Sequence, residues 1–171
     1  HFSVENPEEI ANEQAERIYQ ALLETMVDGY ALSGNPVARA YQSWARYSRF
    51  PYRSRAHGNR FVNNYANAIA ETYGRYEQAG TMPAGAILVK DNVTVTNNGT
   101  MAPGALLIME KMPAGFRPDG GDWRYTMIMP DGSLFGTTGG QDAARVEFCH
   151  TCHKQAEQTD YMFFLPGAYR R

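Results

Sequence analysis

Apolar positions repeat at helical spacing in the first part of the chain and alternate in the middle. In "ENPEEIANEQAERIYQALLETMVDG", Ile18, Leu22 and Met26 fall on one helical face, with Ala15 and Leu23 beside it. This predicts a helix over 7–28. Asn6 is its N-cap, Pro7 its first position, Glu8 and Glu9 lie at the positive end of the dipole, and Gly29 is its stop. A second helix is expected over 36–48, opened by Asn35 and ended by Pro51, with Tyr41, Trp44, Ala45 and Tyr47 at helical spacing.

Beyond residue 60 the period changes. "RFVNNYAN" predicts a short strand over 61–66, and "AIAETYGRYEQAG" a helix closed by Gly80. "AGAILVKDNVTVT" alternates as a strand over 86–96, with Ile87, Val89, Val93 and Val95 on one face and Leu88 and Lys90 on the other. "TNNGT" is a turn, and further strands are expected over 105–111 and 123–129, the last ending in Pro130-Asp131-Gly132. A short helix should hold residues 149–153. Helices leading into antiparallel strands and back to a helix make an α+β fold. The simplest division is one domain over 1–171, with a helical N-terminal extension at 1–50 packed on a core at 60–171.

Composition narrows the class. Apolar residues make up 43% and charged residues 20%, as in ordinary soluble domains, and the net charge of −2 gives no general attraction to nucleic acid or anionic membrane. No stretch approaches the roughly 20 apolar residues of a membrane helix. The chain begins His1-Phe2-Ser3 without Met and shows no signal peptide, so a mature, exported form with its signal removed is expected. Aromatics reach 12%, which suits packing around something large and flat.

The chemistry concentrates in "EFCHTCHKQAEQTDYMFF". Cys149-His150-Thr151-Cys152-His153 has the Cys-x-x-Cys-His spacing of c-type haem attachment. Two thiols add to the two vinyl groups on one porphyrin edge, and the following His turns under the ring to ligate iron. Zinc would need further ligands such as His150 and His57. A thioredoxin-like pair would need a βαβ unit. A plain disulfide needs no trailing His. Haem attachment outweighs these three and itself argues for a periplasmic or otherwise exported protein. His153 has 18 residues after it, and Met162 is too near to reach round the ring, so any sixth ligand comes from upstream.

"CHTCH" followed by "DYMFFLPGAYR", together with "GAILVKD" and "GDWRYTMIMPDG", resembles the cytochrome P-460 and cytochrome c-prime-beta superfamily over roughly Val62 to Arg171. The resemblance implies one covalently bound haem c, an antiparallel sheet packed on it, N-terminal helices, and a C-terminal haem-binding helix. It makes Cys149 and Cys152 the attachment points and His153 the proximal iron ligand. In the P-460 branch a strand lysine, here Lys90, bonds covalently to the haem, and hydroxylamine or nitric oxide is oxidised. In the c-prime-beta branch that bond is absent and the protein binds NO or CO without turnover. A redox-partner cytochrome and a homodimer are implied in the same way. The first branch makes an oxidoreductase of the chain, the second a gas-binding or electron-transfer module.

From the residues alone, Lys90 faces either a porphyrin or water, since both faces of its strand carry apolar neighbours. His57 is first a loop residue and second a distal ligand or proton donor. Arg53, Arg55 and Arg60 either pair with haem propionates or form a solvated basic loop. Glu110 and Lys111 either reach the distal pocket or pair on the sheet. Asp160 is expected to orient the segment after the haem helix, and His150 to face outward.

Overall fold

The computed structural model describes residues 2–3, 10–96 and 99–171. Among them an antiparallel sheet of nine strands carries the fold: β1 (Phe2–Ser3), β2 (Ala45–Arg46), β3 (Tyr52–Ser54), β4 (Arg60–Ala66), β5 (Ile87–Val95), β6 (Thr100–Pro103), β7 (Leu106–Lys111), β8 (Trp123–Ile128) and β9 (Leu134–Thr137). β5 is central. β4 pairs along one edge, itself flanked by β2 and β3, while β7 and β6 share the other edge, and β8 and β9 continue from β7. The α+β architecture and the four longer strands agree with the apolar alternation.

Two helices cover one face of the sheet: α1 (Asn12–Ala31) and α2 (Pro36–Ala40). Ile18, Tyr19, Met26 and Tyr30 of α1 pack with Val37 and Tyr41 onto Phe61, Tyr65, Val89, Val93, Leu106 and Ile108. Burying a side chain of this size stabilises the fold by about 1.5–3 kcal/mol. The expected cap at Asn6 and first turn at 7–9 lie outside the described residues, as does the centre of the "TNNGT" turn. Asn35 caps α2 as expected, its side chain accepting from the Val37 N–H at 2.9 Å.

α2 does not run to residue 48. It passes into a 3-10 turn at Tyr41–Ser43 and then into β2, which pairs with Tyr65 and Ala66. Three interactions outweigh helix continuation. The Tyr41 hydroxyl is held by buried Asp91 at 2.9 Å, Ser43 Oγ bonds back to the Ala40 carbonyl at 2.7 Å, and Arg46 is clamped by Glu16 at 2.7 and 2.8 Å. The segment expected as a helix before Gly80 is likewise a broken 3-10 stretch, Ala68–Gln78, with non-helical backbone at Ala70 and Tyr76. Gly74 sits at its centre, where a Cβ would stand 2.8 Å from the Tyr47 ring.

The helix-covered face also buries a charge. Asp91 accepts hydrogen bonds from Tyr19 Oη (2.6 Å), Tyr41 Oη (2.9 Å) and Asn63 Nδ2 (3.2 Å), and Gln42 Nε2 lies at 3.3 Å. Burial raises its pKa, and the donors oppose that rise. The N-terminal helices are thus joined to the sheet by a satisfied polar cluster as well as by apolar contact.

The opposite face carries a second core: Val62, Ala66, Leu88, Trp123 and Tyr125, packed against Tyr73, Met82, Tyr161, Met162 and Leu165. This is the side on which the cysteine motif lies. No helix among the described residues is long and apolar enough to cross a membrane.

Candidate haem site

The motif forms α3 (Glu147–His153), entered through a 3-10 turn at Ala143–Val146. Buried Val146 anchors its start, and Glu147 is gripped by Arg117 through two bonds of 2.9 and 2.6 Å. Cys149 and Cys152 are three residues apart and so share a helix face. Cys149 is half-buried, Cys152 is exposed, and they are not bonded to each other. Burial pushes the Cys149 thiol up to about 11.

His150 does not face outward as the motif suggested; it is 5% exposed. Gly120 makes its seat, since a Cβ there would stand 2.7 Å from His150 Nδ1, and the Asp119 carboxylate lies 3.6 Å from Nε2. A smaller contact would leave α3 free to roll, so this ring sets the helix against the turn at 118–121.

His153 is held by a main-chain group. Its Nδ1 donates to the Tyr161 carbonyl at 2.7 Å, which leaves Nε2 with its lone pair. Asp160 and Tyr161 both have positive φ, +51° and +64°, and that bend aims the carbonyl. The bend is braced on several sides. The Asp160 carboxylate accepts from the Met82 N–H (2.8 Å) and Lys111 Nζ (2.7 Å), and its carbonyl accepts from Trp123 Nε1 (2.8 Å). At Gly121 a Cβ would come within 2.5 Å of the Tyr161 ring. Asp160 therefore orients the segment after α3, as expected. The His153 ring packs between Tyr125 and Phe163, with centroids at 5.2 and 5.3 Å. Burial, joined by the charge of Lys90, lowers its pKa to about 4, so the imidazole is neutral at pH 7.

Lys90 is on this same side of the sheet. It pairs with Asn64 on β4 and Leu107 on β7, and Leu107 pairs with Met127 on β8. Side chains directly opposite share a face, so Asn64, Lys90, Leu107 and Met127 form one cross-strand row. Lys90, Leu107, Met127 and the neighbouring Met109 are only partly buried, whereas Leu106, Ile108 and Ile128 beneath the helices are fully buried. Burial lowers the Lys90 ammonium to about 8, opposed by Cys152, and Lys90 in turn lowers His153. Lysine, histidine and cysteine thus occupy one neighbourhood.

His57, expected first as a loop residue, joins them. It ends the 3-10 turn Arg55–His57, with Nδ1 2.8 Å from Ser54 Oγ. Burial, then the charges of Lys90, His153 and Arg60, push it down to about 3. Glu110 does not join them. It pairs across from Ile87 on the helix-covered face and binds Arg124 at 2.9 and 3.0 Å, while Lys111 serves Asp160.

A family model described as Cytochrome P460 matches residues 38–164. The chain belongs to the cytochrome P460 family. No curated protein matches it. Membership of this family makes the protein a haem cytochrome. The match begins at Ala38, inside α2, so it takes in β2 and β3, which the resemblance read from the sequence left out.

The residues present fit a haem. The donor set is two unbonded thiols and an imidazole with a free Nε2. The row Leu107, Met109 and Met127 offers partly uncovered apolar surface on the same side. Tyr125 Oη is buried with no hydrogen-bond partner among the described residues. A buried orphan hydroxyl costs about 1–3 kcal/mol, and a bound group that supplies a partner removes that cost. Tyr125, Tyr161 and Ser54 were not singled out from sequence. Alternation through Trp123, Tyr125 and Met127 was the available signal for the first; the other two act through register and main chain.

Proposed function

We propose that this is an exported cytochrome with a single haem c. Cys149 and Cys152 hold it covalently, His153 is its proximal ligand, and it oxidises hydroxylamine or nitric oxide. The observation that carries the reading is Lys90, standing on the His153 side of the sheet with its ammonium lowered to about 8 by burial. A lysine amine bonds to a macrocycle only when neutral, and a lowered pKa supplies that form near physiological pH. The haem, when bound, supplies the iron site for the small molecule and the route for its electrons.

The chain's own residues do the rest. Tyr161 fixes the tautomer and orientation of His153, as a carbonyl behind a ligating imidazole commonly does. The bend at Asp160–Tyr161 keeps that carbonyl from drifting. Lys90 bonds to the ring edge or holds a charge beside it, and the apolar row next to it excludes water. A redox-partner cytochrome accepts the electrons, and copies of the chain pair as homodimers.

A second reading has support in the same row. Leu107 beside Lys90 and Met127 beyond it offer apolar surface, which suits NO or CO binding without turnover. Comparing wild type with Lys90→Ala separates the two. The enzymatic reading expects the variant to lose an unusual ferrous spectrum, the lysine–haem bond by peptide mass, and hydroxylamine oxidation. Identity in all three leaves the gas-binding module.

A further inference from the structure

Ser54 and Lys90 stand on one face of the sheet. Ser54 pairs with Arg60, the alternation Arg60, Val62, Asn64 keeps to that face, and Asn64 is opposite Lys90. After Ser54 the chain turns through Arg55–His57. Gly58 and Asn59, with φ of 71° and 57°, then send it back into β4. His57 is partly buried although Ala56 and Gly58 on either side are exposed, so its ring folds inward while the loop backbone faces water. Nδ1 is engaged by Ser54 Oγ at 2.8 Å, which turns Nε2 away from the loop.

We propose that His57, braced by Ser54, is the proton-accepting residue for the small molecule handled beside Lys90. The inference rests on the hydroxylamine reading above and deepens it. Each nitric oxide formed from hydroxylamine releases three protons and three electrons. The electrons leave one at a time to an external one-electron acceptor, a cytochrome or a dye. The protons need a base. An O–H or N–H bond of the substrate breaks, its electron pair stays on the substrate, and the proton goes to His57 Nε2.

The local chemistry divides the roles. In the tautomer where Nδ1 donates to Ser54 Oγ, Nε2 presents a lone pair. Burial keeps His57 neutral at pH 7 and therefore ready to accept. Lys90 is the other amine nearby, and it is either bonded to the macrocycle, as the reading above has it, or holds its proton below about pH 8. The charges facing His57 at neutral pH are Lys90 and Arg60, with the neutral His153 ring beside them, and both charges disfavour its protonated form. A proton taken from substrate is thus passed on to water rather than kept. A general base contributes about 10²–10⁴-fold, and one whose pKa lies well below the working pH stands at the lower end of that range.

The test uses the haem-loaded protein as His57→Gln, His57→Ala and Ser54→Ala. Two readouts apply: hydroxylamine oxidation with a one-electron dye, and the C–O stretching band of the ferrous CO complex. His57→Gln should keep covalent haem and KM while kcat falls about 100-fold. Added imidazole should restore turnover to His57→Ala, Ser54→Ala should lose less, and the CO band should move in His57→Ala. Unchanged turnover with an unmoved CO band overturns the proposal. So does a low-spin wild-type iron that becomes high-spin in His57→Ala, which would make His57 an axial ligand. A wild type that does not oxidise hydroxylamine, yet whose CO band moves in His57→Ala, overturns the substrate reading and supports His57 as the residue facing the bound molecule.

Discussion

Replacing Asp160 with Asn should cost far more than a surface charge change. The Asp160–Lys111 pair is 2.7 Å long, and its side chains are only 8% and 10% exposed. Removing one member of a buried pair leaves the other charge unpaired, at about 3–5 kcal/mol. Part of that is retained, because Lys111 Nζ also lies 5.1 Å from the centre of the Trp123 ring. Asn tolerates the positive φ at this position and can still accept from the Met82 N–H, so the substitution isolates the charge. A net loss of about 3 kcal/mol remains, equivalent to about 6–12 °C in Tm for a chain of this length. Thermal unfolding of the haem-loaded protein, followed by circular dichroism, reads it directly. Adding Lys111→Met to Asp160→Asn removes the stranded ammonium and should recover at least half of the loss. A Tm drop under about 2 °C, or a double variant no better than the single, would refute the view that this pair braces the Tyr161 carbonyl that holds His153.

Other perturbations have equally definite outcomes. Gly121→Ala puts a Cβ within 2.5 Å of the Tyr161 ring at a φ of +62°, and should lower stability by about 2 kcal/mol or more in denaturant titration. Tyr41→Phe removes one donor from buried Asp91 and should cost about 1–2 kcal/mol by the same method, with little change in the haem spectrum. His57 has a folded pKa of about 3 against an ordinary value of 6.5, so from pH 6.5 down to 3 the unfolded chain binds a proton that the fold refuses. Stability should therefore fall as pH drops through that window, with a contribution from this group approaching about 1.4 kcal/mol per pH unit. His57→Gln should flatten that part of the pH–stability curve.

How much of this could be read from sequence depended on the range of the forces involved. The strand over 87–95 was legible because Ile87, Val89, Val93 and Val95 alternate against one core; period two put Lys90 with Leu88, but with apolar residues on both faces it left open which face meets the haem. The attachment motif was legible because its chemistry needs a fixed local spacing. The end of α2 was not, because Tyr41 is drawn out of the helix by Asp91, 50 positions away. β1, β2, β3, β6 and β9 are two to four residues long, too short for any period to appear. Ser54, which holds His57, shares the Lys90 face only through the register of β3, β4 and β5, which pairs residues far apart in the chain. The carbonyl of Tyr161 could not be foreseen at all, since every residue carries one and only the bend at Asp160 aims it.

The central claim is that Cys149 and Cys152 hold a haem on the face of the sheet that carries His153 and Lys90. Mass spectrometry of the unfolded protein, made in a host that matures c-type cytochromes, tests it most directly. The account predicts one species heavier than the polypeptide by a single haem, reduced to the bare polypeptide mass when Cys149 and Cys152 are both replaced by Ala. A natively folded protein at the bare polypeptide mass, or a haem that stays attached in the double Ala variant, would contradict it.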